Sequence, residues 1–307
     1  SVQITLDGTK KKYNKIKNYA DKSNFDKGNQ RRFNTEYGKF QGRYQLFNEK
    51  CRKNWDKMTE NEKQNAKIHL QKLKKDSLSV PSKDPMDKNY RKIQYTRYCD
   101  DFLIGIIGSK EDAIKVKQDI KEFLLNELKL ELSDEKTLIT SGKDNAKFLS
   151  YEITICQDTK TRKTSRGQCR VFNGRVKLYV PKEKWISKLK QYDMLKIINT
   201  KGQKEKWKPL ERSELAYLKP NEIVMKYNEQ IRGLYNYYKL ANNVSVLNKY
   251  YYIAEYSMYK TLALKYRITM TKAKLKFTKN GIFSVPYETK TGTKYATLYN
   301  GGFTYES

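Results

Sequence analysis

Apolar and polar positions follow two different periods along this chain, and the switches between them outline its elements. Phe33, Tyr37, Phe40, Tyr44, Phe47, Cys51 and Trp55 recur at steps of three and four, which puts them on one face of a helix. Arg31, Arg32, Lys39, Arg43, Lys50 and Arg52 lie mostly off that stripe. Thr59 and Glu62 make a capping-box pattern, and the helix behind them carries Ala66, Leu70 and Leu73 on one face. The pair predicts an αα-hairpin with a basic outer surface. Pro81 and Pro85 then keep residues 78–90 extended.

Residues 95–108 read Y-T-R-Y-C-D-D-F-L-I-G-I-I-G. Tyr95, Tyr98, Phe102, Leu103, Ile104, Ile106 and Ile107 are strand-formers that fit no helical period. A tight β-hairpin is predicted, with Asp100 and Asp101 at its bend. Ser109 and Asp112 repeat the capping-box pattern, and the next helix buries Ala113, Val116, Ile120, Phe123, Leu124 and Leu128. A turn around Asp134 and Glu135 leads into a short strand ending at Thr140. Residues 147–155 alternate like a half-buried strand. A polar loop over residues 157–168 holds Lys160, Arg162, Lys163 and Arg166, and a further strand over residues 171–180 stops at Pro181.

From Lys182 the period becomes helical. Trp185, Leu189 and Tyr192 open one helix. Asn221 is a good N-cap for a second, which buries Ile223, Val224, Tyr227, Ile231, Leu234 and Tyr238. A third carries Leu247, Tyr251, Ala254, Met258, Leu262 and Lys265. Residues 281–303 read as strands around a Thr291–Gly292 turn. Residues 1–30 are polar and lysine-rich after Val2, Ile4 and Leu6, and read as a linker with one short strand. The whole is an α+β chain.

Charge narrows the partners. The 307 residues carry 64 Lys+Arg against 34 Asp+Glu, a net charge of +30 spread along the chain. Such a surface calls for a polyanion, nucleic acid first. No run approaches 18 apolar residues and no signal peptide opens the chain, so membrane is not a partner. Aromatics at 13%, with 25 Tyr, argue against disorder. Tyrosines at helical spacing serve as core residues with wet hydroxyls or as stacking platforms for bases. Cys51, Cys99, Cys156 and Cys169 form no C-x-x-C pair, and reduced thiols of an intracellular protein are the default. The single histidine, His69, excludes a multi-histidine metal site and reads as a surface residue on a basic helix.

The acidic pair has two readings. Asp is a common turn residue, and Asp-Asp can be a turn and nothing more. Two carboxylates fixed on a rigid hairpin are also what a two-metal phosphoryl-transfer site needs.

Y-C-D-D-F-L-I-G resembles the Y-x-D-D box of reverse transcriptases, in the form found in group II intron-encoded proteins, with Cys99 where those usually carry Ala. The segment over residues 78–90 resembles the approach to that box. The S-D-E-K-T run from Ser133 resembles an S-x-E-K-T signature, and by that resemblance Lys136 falls near an incoming triphosphate; its other reading is an ordinary turn lysine. Phe148, Leu149, Ser150 and Tyr151 resemble the F-L-G-Y block that grips the primer end, with Ser150 for the usual Gly. Y-N-E-Q-I-R-G-L-Y-N-Y-Y and E-Y-S-M-Y-K-T-L-A-L-K-Y-R resemble domain X, the thumb and maturase domain of the same proteins. Arg212, Lys226, Arg232, Lys260, Lys265 and Arg267 are the basic residues expected on its RNA-facing side.

The resemblance implies the second half of a polymerase palm, an antiparallel sheet with the Y-x-D-D hairpin and packed helices, followed by a helical thumb. Expected boundaries are a linker or remnant over 1–30, a partial palm with a basic helical insertion over 31–181, and domain X over 182–307. The implied activity is RNA-directed DNA polymerisation with Asp100 and Asp101 on Mg²⁺, alongside maturase function in RNA splicing. The implied partners are group II intron RNA, an RNA template with a DNA primer, and dNTP, in a bacterial cytoplasm or an organellar matrix. Family members carry fingers and a third metal-binding aspartate before the region matched. Asp7 is the one early substitute, in surroundings unlike the family motif. No DNA-binding region or endonuclease follows domain X, so the chain reads as a C-terminal segment, cut at both ends or naturally split. The alternative is a non-enzymatic RNA-binding splicing factor with a retained palm. A reverse transcriptase of another retroelement class is disfavoured by domain X.

Overall fold

The computed structural model describes residues 25–156, 161–165, 167–170, 174–198, 205–279 and 281–306. Asp7, the early apolar residues Val2, Ile4 and Leu6, and Lys160, Arg166 and Val171 lie outside them. In chain order the elements are α1 (Thr35–Asn54), α2 (Glu60–Ser79), β1 (Lys92–Tyr98), β2 (Asp101–Ile107), α3 (Lys110–Leu128), β3 (Ala146–Phe148), β4 (Tyr151–Ile155), β5 (Thr161–Thr164) and β6 (Gly167–Arg170). These are followed by β7 (Val176–Tyr179), α4 (Lys182–Gln191), β8 (Leu195–Ile198), β9 (Lys206–Pro209), α5 (Pro220–Tyr238), α6 (Leu247–Tyr266), α7 (Met270–Phe277), β10 (Thr278–Lys279), β11 (Ile282–Thr289) and β12 (Gly292–Thr297). Helices and small antiparallel sheets alternate, an α and β mixture. The chain forms two compact units, Ser1–Asp144 with Cys156–Arg175 and Asn145–Ile155 with Val176–Ser307.

In the first unit the helix starts follow the capping chemistry. Asn34 Oδ1 accepts the Glu36 N–H at 3.0 Å. The Thr59 N–H donates to the Glu62 carboxylate at 2.8 Å, and the Glu62 N–H returns to Thr59 Oγ1 at 3.4 Å. α1 and α2 bury only Cys51, Ala66 and Ser77, while Leu46 and Ile68 stay exposed. His69 is exposed, with its ring edge-on to Phe47 at 4.5 Å. The extended segment after α2 is held through Arg32, whose guanidinium meets Asp84 at 2.9 Å and whose N–H meets Asp87 at 2.6 Å.

β1 and β2 pair from Lys92↔Ile107 to Tyr98↔Asp101. A small core of Ile93, Val116 and Ile120, ringed by Phe102, Ile104, Ile106 and Leu124, seats this hairpin on α3. Two expectations fail in this unit. Residues 129–145 contain no strand after the Asp134 turn, and Leu138 is 75% exposed; its apolar run has no sheet edge to join. Within the expected polar loop over 157–168, Thr161–Thr164 and Gly167–Arg170 pair as β5 and β6. β5 is exposed along its whole length, so no apolar alternation marks it.

The second unit holds the larger core. α6 is buried around much of its circumference, and Leu247, Ala254, Met258 and Leu262 are sealed from solvent along with Ile223, Val224, Tyr227 and Ile231 of α5. The N-cap of α5 falls at Lys219, not Asn221. Pro220 takes the first helical position, where its fixed φ suits the helix and its missing N–H costs nothing. Glu222 accepts the Lys219 N–H at 3.0 Å. The expected single strand over 147–155 is two strands, β3 and β4, reversed at Leu149 and Ser150. With β7 they form a sheet of order β3–β4–β7. Asn242 and Asn243 extend that sheet: their side-chain oxygens accept the Leu178 and Val180 N–H groups at 3.0 and 2.8 Å. β11 and β12 meet at Thr289↔Gly292, so the turn is Lys290–Thr291, one residue before the expected place. Asn228 ties the tail to α5, donating to Thr297 O and accepting from the Tyr299 N–H, both at 2.7 Å.

Candidate functional site

The register of the first hairpin decides what its residues face. Ile93, Tyr95, Phe102, Ile104 and Ile106 share one face, against α3. Asp101 pairs with Tyr98 on the opposite face, with Thr96, Leu103, Gln94 and Gly105 along it. Gly105 leaves that face low, since a Cβ there would meet nothing closer than 4.0 Å. The bend itself is Cys99–Asp100. Cys99 has φ 52°, a left-handed conformation that costs a residue with a Cβ about 1 kcal/mol. The Arg97 Nε–H donates to the Cys99 carbonyl and clasps the bend. Asp100 and Asp101 are both exposed, and neither carboxylate is spent on a hydrogen bond or ion pair among the described residues. No cluster of three or more metal-binding side chains occurs among the described residues.

Lys136 is exposed on the turn that follows α3. That turn is pinned to α3 by Asp134, which meets Lys121 at 2.6 Å and Lys117 at 3.2 Å. Lys121 and Lys117 hold the Asp134 carboxyl below the usual range. Lys117 also donates to Thr137 O at 2.7 Å. Lys136 itself is left with no partner among the described residues.

Phe148, Leu149, Ser150 and Tyr151 form the tip of the β3–β4 hairpin in the second unit. Leu149 and Ser150 have φ 48° and 60°, the paired left-handed conformations of a type I′ turn. Three tyrosines bind this tip to the end of α5. The Tyr151 hydroxyl donates to Tyr237 O, the Tyr237 hydroxyl to Leu149 O at 2.6 Å, and the Tyr238 hydroxyl to Ser150 O at 3.1 Å. The Tyr151 and Tyr237 rings stack at 5.7 Å. Burial, with Tyr237 and Tyr151 alongside, pushes the Tyr238 hydroxyl up to about 12. Sequence reasoning put Tyr238 in the helix stripe but missed this clasp. The N-Y-Y run was its only trace.

The six basic residues divide. Lys226, Arg232 and Arg267 are exposed. Arg212 is a correction, being only 8% exposed and turned into the core. Its guanidinium donates to Glu214 at 2.8 Å and Gln230 at 3.0 Å and lies over the Tyr192 and Tyr227 rings. Its N–H donates to Thr261 Oγ1 at 2.9 Å. Lys260 and Lys265 donate to the carbonyls of Pro209 at 2.7 Å and Ala216 at 3.1 Å. The two lysines and the Arg212 backbone fasten the 209–216 segment to α6, and the Arg212 guanidinium ties it to α5 through Gln230. An α-helical pattern counts charges but does not say which of them a crossing segment will cover.

Comparison with known proteins gives these sites a context. Residues 66–153 match the reverse transcriptase (RNA-dependent DNA polymerase) family model, and residues 173–300 match that of the type II intron maturase. The group II intron-encoded protein LtrA of Lactococcus lactis subsp. cremoris is 33% identical over 272 residues, 88% of this chain and 44% of that protein. The COX1/OXI3 intron 1 protein of Saccharomyces cerevisiae is 36% identical over 214 residues, 67% of this chain and 25% of that protein. Nuclear intron maturase 1 of Arabidopsis thaliana is 26% identical over 181 residues, 58% of this chain and 25% of that protein. The chain thus spans less than half the length of these relatives. With both family matches in this order, and with these homologues, the chain belongs to the group II intron-encoded reverse transcriptase/maturase family.

Proposed function

We propose that the protein containing this chain copies RNA into DNA and assists the splicing of a group II intron RNA. One observation carries the reading: a hairpin bend with two uncommitted carboxylates lies inside the reverse transcriptase match, and the maturase match follows it. Asp100 and Asp101 are the groups that would hold Mg²⁺. They offer hard oxygens, and magnesium fills the rest of its shell with water and substrate phosphates. Bound there, the metal supplies a lowered pKa at the primer 3′-hydroxyl and charge stabilisation at the leaving pyrophosphate.

The protein's own part is positional. The core under β1 and β2 fixes the hairpin that carries the carboxylates, and Lys136, exposed and without a partner among the described residues, is available to a triphosphate. The hairpin tip at Phe148, Leu149, Ser150 and Tyr151 would seat the primer end. Arg232 and Arg267, and Lys226 beside its exposed partner Glu229 at 3.1 Å, would meet phosphates of the intron RNA, contacts that give position without sequence. Arg212, Lys260 and Lys265 are not assigned that role. The substrates are an RNA template with a DNA primer and dNTP. No helix among the described residues is long and apolar enough to cross a membrane. Relatives from a bacterium and one named as mitochondrial support work in a bacterial cytoplasm or an organellar matrix.

Primer extension on an RNA template in Mg²⁺, with the full-length protein and its Asp100→Ala variant, tests this. The variant should lose extension and keep its affinity for RNA. Extension by the variant at the wild-type rate overturns the metal assignment. A wild type that binds and splices the intron RNA without extending a primer replaces the polymerase reading with that of a splicing factor.

A further inference from the structure

The groove between α1 and α2 holds groups that the fold itself leaves unused. The two helices bury only Cys51, Ala66 and Ser77. Between them lies a cleft of about 420 Å³, all of it within the first unit. Leu46 and Phe47 of α1 and His69 and Leu73 of α2 line it, together with Arg43, one turn before Leu46, and Lys50, one turn after Phe47. The two cations therefore belong to the same lining as the apolar and aromatic groups.

Arg43 and Lys50 are exposed, and neither has a partner among the described residues. No carboxylate of the described residues lines the cleft. Leu46 is 64% exposed, apolar surface that folding leaves in water. The exposed His69 ring and the half-buried Phe47 ring meet edge-on at 4.5 Å. An edge-on contact covers at most one face of either ring, so His69 keeps a face that Phe47 does not cover. Six residues line the cleft, far short of the roughly 20–30 that a stable protein interface takes on each side. A volume of this size suits a single planar group. With two cations and no carboxylate around it, that group belongs to an anion.

We infer that this cleft binds one unpaired nucleotide of RNA, with its base stacked on His69 beside Leu46 and Phe47 and its flanking phosphates on Arg43 and Lys50. The inference rests on the RNA-binding function proposed above and names a subsite for it. Stacking accepts any base face and a cation any phosphate, so the contact tolerates sequence. A duplex hides its base faces, so the cleft selects unpaired nucleotides. A base laid over Leu46 also takes its apolar surface out of water.

His69 is the single histidine of the chain, so its imidazole gives one unmixed NMR signal. The test follows that signal, at fixed pH, as the full chain is titrated with a short single-stranded RNA and with the same strand annealed to its complement. Fluorescence anisotropy of the labelled strands gives the affinities, and matching thermal melts establish that each variant is folded. The single strand should shift the His69 signal to saturation, and the duplex should leave it in place. His69→Ala should weaken single-strand binding about five-fold or more, the effect of losing one stacked base. Arg43→Gln with Lys50→Gln should lower the slope of log affinity against log salt by about 1.4, more than the same charge change made elsewhere by Lys290→Gln with Lys294→Gln. A His69 signal that stays put while the chain binds single-stranded RNA, or moves equally with the duplex, would overturn the inference and leave the functional reading standing. Equal effects of the two charge pairs, with none of His69→Ala, would do the same. A chain that binds no RNA would overturn both. A His69 signal that moves with protein concentration and not with RNA would give the cleft to a second copy, and the nucleotide subsite would fall.

Discussion

Ser150 follows Leu149 in a left-handed conformation, and each has a Cβ in a turn type that favours Asn-Gly. Ser150→Gly should therefore raise stability by about 1 kcal/mol in urea unfolding. An unchanged or lower midpoint would mean that the serine stabilises the turn by a route other than its backbone. Single residues were legible where local chemistry decides them. Thr59 and Ser109 cap helices because their hydroxyls reach the amides three residues on. Arg212 is turned inward to Glu214 and Gln230, and Lys260 and Lys265 reach the Pro209 and Ala216 carbonyls, partners that residue type alone does not announce. Residue type fixes a cation's charge, but long-range packing decides whether that charge meets solvent or a carbonyl.

At the scale of elements, periodicity carried far where one face is buried and failed where none is. The α5 and α6 stripes matched the sealed core at Ile223, Val224, Tyr227, Leu247, Ala254, Met258 and Leu262. The exposed strand β5 left no pattern to read. The β3–β4 reversal was hidden because Ser150 stands where the turn would announce itself with glycine. That reversal gives the hairpin tip a pH response. The unfolded chain releases a tyrosine proton near pH 10, whereas Tyr238 keeps its own to about 12. Its contribution to stability is complete below about pH 10 and is lost as pH climbs through about 12. Urea midpoints should fall over that window, and Tyr238→Phe should fall less steeply. Tyr251, likewise pushed up to about 12 by burial, keeps part of the slope in the variant. Parallel curves would mean that Tyr238 ionises as freely folded as unfolded.

For the whole molecule, the net charge of +30 bears on affinity. RNA binding should weaken steeply with salt, by about three orders of magnitude between 50 and 200 mM if six phosphates are neutralised. A flat response would mean that the charge is not the RNA footprint. The division of the chain was harder to read, because residues 145–155 leave the first unit, join the second, and return before residue 156. Local pattern holds no record of such an exchange.

The clasp at the hairpin tip also sets an order of assembly. Ser150 and Tyr238 lie 88 residues apart. At a synthesis rate of roughly 5–20 residues per second, the tip is made on the order of 4–18 s before the hydroxyl that secures it. During that wait its two left-handed residues have no tyrosines from α5 to hold them. The nascent protein therefore carries an unlatched hairpin until the end of α5 emerges to close it.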